Sequence, residues 1–245
     1  MAKPLAKPLA KLVALITPKR RWAQFSLATM FVVVTALCVW LSVVANRAHR
    51  QRDAVAAIEA LGGRVGYVKP DRKATEAFPT PFLRRWLSRD YFDDVRAVSL
   101  SGTQVTDAGL AHLQGLTRLR WLDLSGTRVT DVGLAQLHGL TGLQELNLDS
   151  TQITDAGLAH LQGLMGLRWL DLSGTQVTDV GMSHLQGLAS LRRLSFSSTQ
   201  VTDIGLAHLQ VLTRLEWLWL KHSQVTDAAL AQFRQALPNC RMNGL

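Results

Sequence analysis

The amino-acid sequence predicts an α/β solenoid, with a parallel sheet on its concave face and helices on its convex face, preceded by one transmembrane helix. The first observation is a tripeptide, Val-Thr-Asp or Ile-Thr-Asp, that recurs six times. Its aspartates are spaced 24 residues apart, at Asp107, Asp131, Asp155, Asp179, Asp203 and Asp227. Repeats of this length without insertions are typical of solenoids. The second observation is a stretch near the N-terminus, residues 22–45, that contains no charged residue.

The chain has 245 residues and a net charge of +9, and this excess of positive charge lies near the N-terminus. Residues 1–52 contain nine Lys and Arg residues and no Asp or Glu, whereas the remaining residues contain 18 basic and 18 acidic side chains. A basic protein invites a nucleic-acid interpretation, but the repeats themselves are nearly neutral. We therefore predict no nucleic-acid partner.

Residues 1–21 form a basic N-terminal segment, and residues 22–45 form the predicted transmembrane helix. A helix of this length spans about 36 Å, more than the roughly 30 Å of a hydrocarbon core. The alternative is a cleaved signal peptide, although the apolar run exceeds the ~7–15 residues of a signal-peptide core. Six basic residues precede the helix and fewer follow it, which predicts a cytoplasmic N-terminus and an exported repeat domain. The flanking cations are expected to contact anionic lipid head groups.

Residues 46–92 are predicted to form a juxtamembrane helix and the N-terminal cap of the solenoid. A helical stretch, Asp53–Leu61, precedes a Gly62-Gly63 break, a short RVGYV strand and a segment bounded by prolines at 70 and 81. Apolar residues then occur at helical spacing: Phe82, Leu83, Trp86, Leu87 and Phe92. We expect this region to pack on Val95 and Val98, because solenoid ends must be covered. The alternative is a flexible stalk.

Within each repeat of residues 93–237, the spacing of apolar residues changes from 2 to about 3.6. Leu122 and Leu124 alternate with polar residues and predict a strand, whereas Leu134 and Leu137 share one face of a helix. The helical part is expected from Asp131 to Gly139, with the threonine before Asp131 as its N-cap. Residues 238–245 are expected to form the C-terminal cap, because Pro238 ends the last helix, and residues 239–242 are expected to form a closing strand.

The second and fourth copies give the pattern LxxLxLSGTxVTDxGLxxLxGL, which resembles the leucine-rich repeat LxxLxLxxNxL with Thr in place of Asn. In this respect the chain is similar to bacterial membrane-anchored proteins of the leucine-rich repeat family. The residues at the Asn position are Thr103, Thr127, Thr151, Thr175, Thr199 and Ser223. We expect these hydroxyls to bond the backbone of the neighbouring turn, a structural role rather than that of nucleophiles.

Strand positions that alternate with the buried leucines are expected to line the concave face. One row contains Ala97, Trp121, Glu145, Trp169, Arg193 and Trp217, and the next contains Ser99, Asp123, Asn147, Asp171, Ser195 and Trp219. Four of the seven tryptophans lie on this surface, and aromatic residues with charged neighbours are typical of recognition sites. The predicted partner-binding residues are Trp121, Asp123, Glu145, Asn147, Trp169, Asp171, Arg193, Trp217, Trp219 and Lys221. The predicted function is non-catalytic binding of a protein partner.

Two other functions fit parts of this pattern. Trp121, Trp169 and Trp217 could stack on sugar rings, which would make the chain a glycan- or cell-wall-binding protein. The repeats are also similar to those found beside F-box segments in ubiquitin-ligase adaptors, although a membrane helix precedes them here. Duplication of repeats alone would also produce recurring tryptophans, but Arg193, Trp219 and Lys221 depart from the repeat template.

The sequence predicts no enzyme activity, no metal site and no cofactor. Histidines recur at one helical position: His112, His160, His184 and His208. Successive helices lie roughly 8–10 Å apart, too far for several imidazoles to bind one ion with bonds of about 2 Å. Asp123 and Asp171 are a possible acid–base pair with backbones about 10 Å apart, but both positions are open to solvent. Cys38 and Cys240 are too few for a disulfide framework.

Overall fold

The computed structural model describes residues 27–68 and 94–243. These residues belong to two compact units, Met1–Asn46 and Arg47–Leu245. Four predicted features lie outside the described residues: the basic segment at 1–21, the start of the predicted transmembrane helix at 22–26, the proline-bounded segment, and the apolar cap residues from Phe82 to Phe92.

A long helix, α1 (Leu27–Ala60), contains the uncharged stretch. Residues Thr29–Ala60 form a helix that is long and apolar enough to cross a membrane, with a mean hydropathy of 2.1 over its most apolar window. Its large side chains in the first compact unit are exposed; Phe31, for example, is 72% exposed. Ser42 Oγ donates to the carbonyl oxygen of Cys38 at 2.8 Å, which satisfies the hydroxyl within the helix. A membrane span and a signal sequence both have this character.

In the second unit, the C-terminal part of α1 packs on the first strand of the repeats. The helix continues to Ala60, so the predicted juxtamembrane helix is part of α1. Val55 and Ile58 are buried in the hydrophobic core. Arg47 pairs with Asp94, whose second carboxylate oxygen lies 2.6 Å from Arg118 Nη1. The buried contacts of Val55 and Ile58 and the Arg47–Asp94 ion pair hold the C-terminal end of α1 against the solenoid.

A short strand, β1 (Arg64–Val68), covers the first edge of the sheet. It runs antiparallel to β2 (Asp94–Ser99), with Val65 opposite Val98 and Tyr67 opposite Val95. An uncovered parallel edge would expose a row of unpaired backbone groups. Strand β1 therefore closes the N-terminal side of the sheet.

The repeats build a parallel sheet on one side and helices on the other, which confirms the predicted fold class. After β2, the strands follow in chain order as β3 (Trp121–Asp123), β4 (Glu145–Asn147), β5 (Trp169–Asp171), β6 (Arg193–Ser195), β7 (Trp217–Trp219) and β8 (Arg241–Asn243). The helices are α2 (Asp107–Leu110), α3 (Asp131–Ala135), α4 (Asp155–Ala159), α5 (Asp179–His184), α6 (Asp203–His208) and α7 (Asp227–Ala236). Short 3-10 helices follow α2, α3, α5 and α6 at Ala111–Gly115, Gln136–Gly139, Leu185–Gly187 and Leu209–Val211.

The core lies between the sheet and the helices. The leucines of both sides are fully buried in each of the neighbouring repeats. In the second repeat they are Leu122 and Leu124 from the strand side and Leu134 and Leu137 from the helical side. A three-residue strand cannot bury its own leucines, so each repeat is stabilised by the repeats on either side of it. Removal of this apolar surface from water at about 25 cal/mol per Å² is the main force that holds the array together.

The threonines at the Asn position bond within their own turn. Thr127 Oγ1 donates to the carbonyl oxygen of Leu124, three residues earlier, at 2.6 Å. The same bond is made by Thr103, Thr151, Thr175 and Thr199. The expectation that these hydroxyls bond the neighbouring turn is therefore wrong. In a tight turn the carbonyl at position i−3 is the nearest acceptor for a hydroxyl that rotates freely.

The aspartates of the repeat signature tie successive repeats together. Asp155 Oδ1 accepts a hydrogen bond from Thr178 N at 2.8 Å, and Asp155 Oδ2 accepts one from Thr178 Oγ1 at 2.6 Å. Four further pairs make the same two bonds: Asp107–Thr130, Asp131–Thr154, Asp179–Thr202 and Asp203–Thr226. Each aspartate thus caps the start of the next repeat's helix. Hydrogen bonds to a carboxylate are about twice as strong as neutral ones, so these bridges align neighbouring repeats.

A glycine in the next repeat makes room for four of the five bridges, whereas Ala229 stands at the corresponding position of the fifth, Asp203–Thr226. A Cβ atom built on Gly181 would lie 2.3 Å from Asp155 Oδ1. The corresponding distances at Gly133, Gly157 and Gly205 are 2.4, 2.3 and 2.5 Å. The recurring Thr-Asp-x-Gly motif is therefore explained by contacts between repeats: the aspartate of one repeat occupies the space that a side chain of the next would fill.

Candidate functional site

The register of the strands places the predicted binding residues in two rows across the concave face. The first row contains Ala97, Trp121, Glu145, Trp169, Arg193, Trp217 and Arg241. The second row contains Ser99, Asp123, Asn147, Asp171, Ser195, Trp219 and Asn243. Lys221 follows β7 and is exposed. Members of a row on adjacent strands are about 4.8 Å apart, so each row is a continuous surface.

Strand β8 adds Arg241 and Asn243 to the rows, and sequence reasoning missed both. Arg241 pairs with Trp217 in the sheet, and Asn243 pairs with Trp219. The repeat spacing could have placed Arg241 in the first row, because Arg241 lies one repeat length after Trp217. A closing strand is expected after Pro238, at residues 239–242, and β8 overlaps it, but the residues of that strand were interpreted as a cap and not assigned to the two rows.

The tryptophans are partly buried, whereas the charged residues of the first row are exposed. The four tryptophans are half-buried, whereas Glu145 and Arg193 are exposed; the tryptophans are Trp121, Trp169, Trp217 and Trp219. The indoles therefore present part of their surface to solvent while the sheet supports the rest. Partly supported aromatic side chains lose less conformational entropy when a ligand covers them.

The last two strands hold an ordered group of rings and a cation. The Trp217 and Trp219 rings are stacked, with centroids 5.8 Å apart and an angle of 10° between their planes. The Arg241 guanidinium carbon lies 5.0 Å from the Trp217 ring centroid, within range of a cation–π interaction. Residues i and i+2 of a strand point to the same side, which is why the two indoles meet.

The second-row aspartates hold the turns that follow their strands. Asp171 Oδ1 accepts hydrogen bonds from Ser173 N at 2.9 Å and Ser173 Oγ at 2.6 Å. Asp123 makes the same pair of bonds to Ser125, at 3.0 and 2.7 Å. These bonds fix the carboxylates at the surface as ordered negative charges. Asp123 and Asp171 therefore have a structural role in the turns after their strands.

Asp171 also borders a shallow depression on the concave face. The depression has a volume of about 300 Å³ and is lined by Trp169, Asp171, Ser195, Ser197 and Trp219. Ser195 is the small residue between Asp171 on one neighbouring strand and Trp219 on the other. A side chain of a ligand can therefore enter the surface at this point between two indoles.

The repeated histidines lie on the convex side, where His184 and His208 bond to glutamines of the preceding repeat. Gln162 Nε2 lies 3.3 Å from His184 Nδ1, and Gln186 Nε2 lies 3.1 Å from His208 Nδ1. Within residues 27–68 and 94–243, no group of three or more His, Cys, Asp or Glu residues is placed to hold a metal ion. Burial raises the pKa of the Cys240 thiol to about 11, so this thiol stays protonated at neutral pH.

Comparison with known families agrees with this geometry. The leucine rich repeat family model matches residues 93–153, 117–177 and 165–225, which together cover more than half of the chain. The chain belongs to the leucine-rich repeat family. No curated protein is significantly similar to it in sequence.

Solved structures of three leucine-rich-repeat proteins are similar to parts of this chain. An internalin (inlF) from Listeria monocytogenes is 20% identical, with a TM-score of 0.45 over 71% of this chain, which spans 56% of the internalin. Internalin C2 from the same organism is 25% identical, with a TM-score of 0.43, and the match covers 72% of this chain and 95% of the internalin. A leucine-rich-repeat protein from Leptospira interrogans is 23% identical, with a TM-score of 0.44, over 54% of this chain and 33% of its own length.

Proposed function

We propose that this leucine-rich-repeat protein is a non-catalytic, membrane-anchored binding protein whose concave sheet holds a protein partner. The observation that carries the proposal is the pair of rows on β2 to β8, which place four tryptophans among charged residues on one surface. Leucine-rich-repeat domains generally bind proteins, and solenoids present extended concave surfaces for this purpose.

The tryptophans are the proposed energetic centre of the interface. Hot spots in protein interfaces are enriched in Trp, Tyr and Arg and are surrounded by residues that exclude water. Trp121 and Trp169 lie on either side of Glu145, and Trp217 and Trp219 form the stacked pair. The polar contacts that select the partner then come from five neighbouring residues: Asp123, Asn147, Asp171, Arg193 and Lys221. The stacked pair is already ordered without a partner, which lowers the entropic cost of binding.

The proposed anchor is the uncharged part of the N-terminal helix, residues 22–45, with its N-terminus in the cytoplasm and the repeats exported. Its support is the exposed apolar surface of α1 and the basic residues that precede it. Lipid contact by the flanking cations is part of this proposal, but Arg47 is engaged by Asp94. The basic residues before residue 22 therefore carry most of the proposed attraction to anionic head groups.

Two measurements on the full chain test the anchor. We expect the protein to remain in the membrane pellet after alkaline carbonate washing, at the mass of the uncleaved chain. We also expect a reporter fused after Leu245 to be active when it requires export. Release into the supernatant at a lower mass would indicate a cleaved signal peptide, and a reporter active only in the cytoplasm would reverse the orientation.

Site-directed photo-crosslinking tests the binding surface. A photoreactive amino acid at Asn147, in the second row, is expected to give a crosslinked product with a protein. The same amino acid at His160, which is exposed on the convex side of the same repeat, is the matched control and is expected to give none. A product from His160 alone would contradict the proposal. If the mass added at Asn147 survives protease digestion of the protein and is removed by glycosidases, glycan binding would be favoured instead.

A further inference from the structure

The charges of the concave face are separated along the solenoid. Among the outward-facing strand positions of β3 to β5, the charged residues are Asp123, Glu145 and Asp171, all acidic. On β6 to β8, the charged outward-facing residues are Arg193 and Arg241, and Lys221 lies two residues after β7; all three are basic. We name these two sets the acidic half and the basic half. The near-neutral charge of the repeats conceals this separation.

We propose that the concave face binds an extended protein segment in one direction, with a basic side chain of the partner over the acidic half and an acidic side chain over the basic half. This inference rests on the proposed function and specifies the chemistry of the partner. Complementary charge patterns fix the register of a complex and exclude partners whose charges are reversed.

The acidic half has the composition of a site for a guanidinium or ammonium group. Glu145 lies between Trp121 and Trp169 in the first row, about 4.8 Å from each along the sheet. Indole faces attract cations, and a carboxylate between them adds a charge-assisted hydrogen bond. Arg120 and Arg168 precede β3 and β5 and are exposed. The bound cation is therefore expected to lie toward the second-row aspartates, away from these two arginines.

The basic half has the composition of a site for a carboxylate. Arg193 and Arg241 flank Trp217 on the two neighbouring strands, and Lys221 follows Trp219. Arg241 is already positioned over the Trp217 ring, which restrains its guanidinium. A restrained arginine offers two parallel N–H donors to a carboxylate with less loss of entropy than a free one.

The distance between the halves sets the spacing of charges in the partner. Glu145 on β4 and the Trp217 position on β7 are separated by three strand intervals, about 14 Å. An extended chain advances about 3.3 Å per residue, so opposite charges should lie about four residues apart in the bound segment.

Two fluorescent peptides of identical composition test this inference on the full chain in detergent micelles. In the block peptide, arginines precede glutamates with a spacer of about four residues, and in the alternating peptide the two residue types alternate. We expect the block peptide to bind about tenfold more tightly at low salt, and we expect this advantage to shrink as salt screens the charges. Combining Glu145→Arg with Arg193→Glu leaves the acidic half with a net charge of −1 and the basic half with +1, and should therefore reduce the preference for the block peptide. Arg234→Glu, at an exposed position of α7, is the control and should preserve it.

Equal binding of the two peptides, binding of neither, or a preference that the double change leaves at its native size would overturn the inference. These outcomes are distinct from failure of the proposed function. If the peptides bind equally while the Asn147 crosslink to a protein still forms, the concave face binds a protein without the charge order inferred here. If the Asn147 crosslink is absent, the proposed function itself fails.

Discussion

Gly181→Ala is expected to lower the free energy of unfolding by about 2–4 kcal/mol, because the new methyl group and the Asp155 carboxylate cannot occupy the same space. The Cβ atom would lie 2.3 Å from Asp155 Oδ1 and 2.8 Å from Val177 Cγ1. Relief of this overlap requires either Asp155 or the first turn of α5 to shift, which strains the two hydrogen bonds to Thr178; the bridge of the last repeat tolerates Ala229 at the corresponding position. The measurement is chemical denaturation of the full chain in micelles, followed by circular dichroism.

Gly187→Ala is the matched control for this prediction. Gly187 is also in the fourth repeat, at the end of the 3-10 helix Leu185–Gly187, and a Cβ there would meet no described atom within 4 Å. The free energy of unfolding of the Gly187→Ala variant should differ from that of the native chain by no more than about 1 kcal/mol. Combining Gly181→Ala with Asp155→Ala should cost less than the sum of the two single changes, because both disrupt one bridge. Equal stability of Gly181→Ala and Gly187→Ala would contradict the role given to the bridge.

The architecture was predictable because it depends on a short pattern that repeats. Alternation of Leu122 and Leu124 with polar residues indicated β3, and the spacing of Leu134 and Leu137 indicated the helical side. The structure divides that helical part into α3 and the 3-10 helix Gln136–Gly139. Sequence periodicity of about three residues does not distinguish these two helix types, because both bury the same leucines.

Hydrogen bonds between repeats were not predictable from spacing. Asp131 lies in the first turn of its own helix, and its side chain bonds Thr154 of the next repeat, a contact that the spacing does not indicate. Thr127 was expected to bond the next turn, but it bonds its own. A carboxylate or hydroxyl bonds the nearest suitable partner in space, and the stacking of repeats decides which partner that is. The glycine found two residues after five of the six Thr-Asp pairs was the available clue, because it marks a close approach.

The two rows of the candidate site were predictable for the same reason as the strands, since alternation assigns every second residue to one face. The stacking of Trp217 on Trp219 and the bonds of Asp171 to Ser173 depend on side-chain rotamers, which the sequence does not specify. The rows therefore remain a proposal about function that rests on a confirmed fold.

The tryptophan rows are expected to supply most of the binding energy. Replacing Trp121, Trp169 and Trp217 together with alanine should weaken binding of the crosslinked protein partner at least about 100-fold, because buried interface tryptophans often contribute more than 2 kcal/mol each. The control replaces Val132, Val180 and Ile204 with serine; these side chains are apolar and more than 60% exposed on the helical side. Circular dichroism of both variants should match that of the native chain.

The most direct test of the central claim is the affinity of the full chain for that partner, measured in parallel for the native protein, the tryptophan variant and the helical-side control. The account predicts that the tryptophan variant loses binding while the control keeps native affinity. Native affinity in a folded tryptophan variant, or loss of binding only in the control, would show that the concave face is not the binding surface.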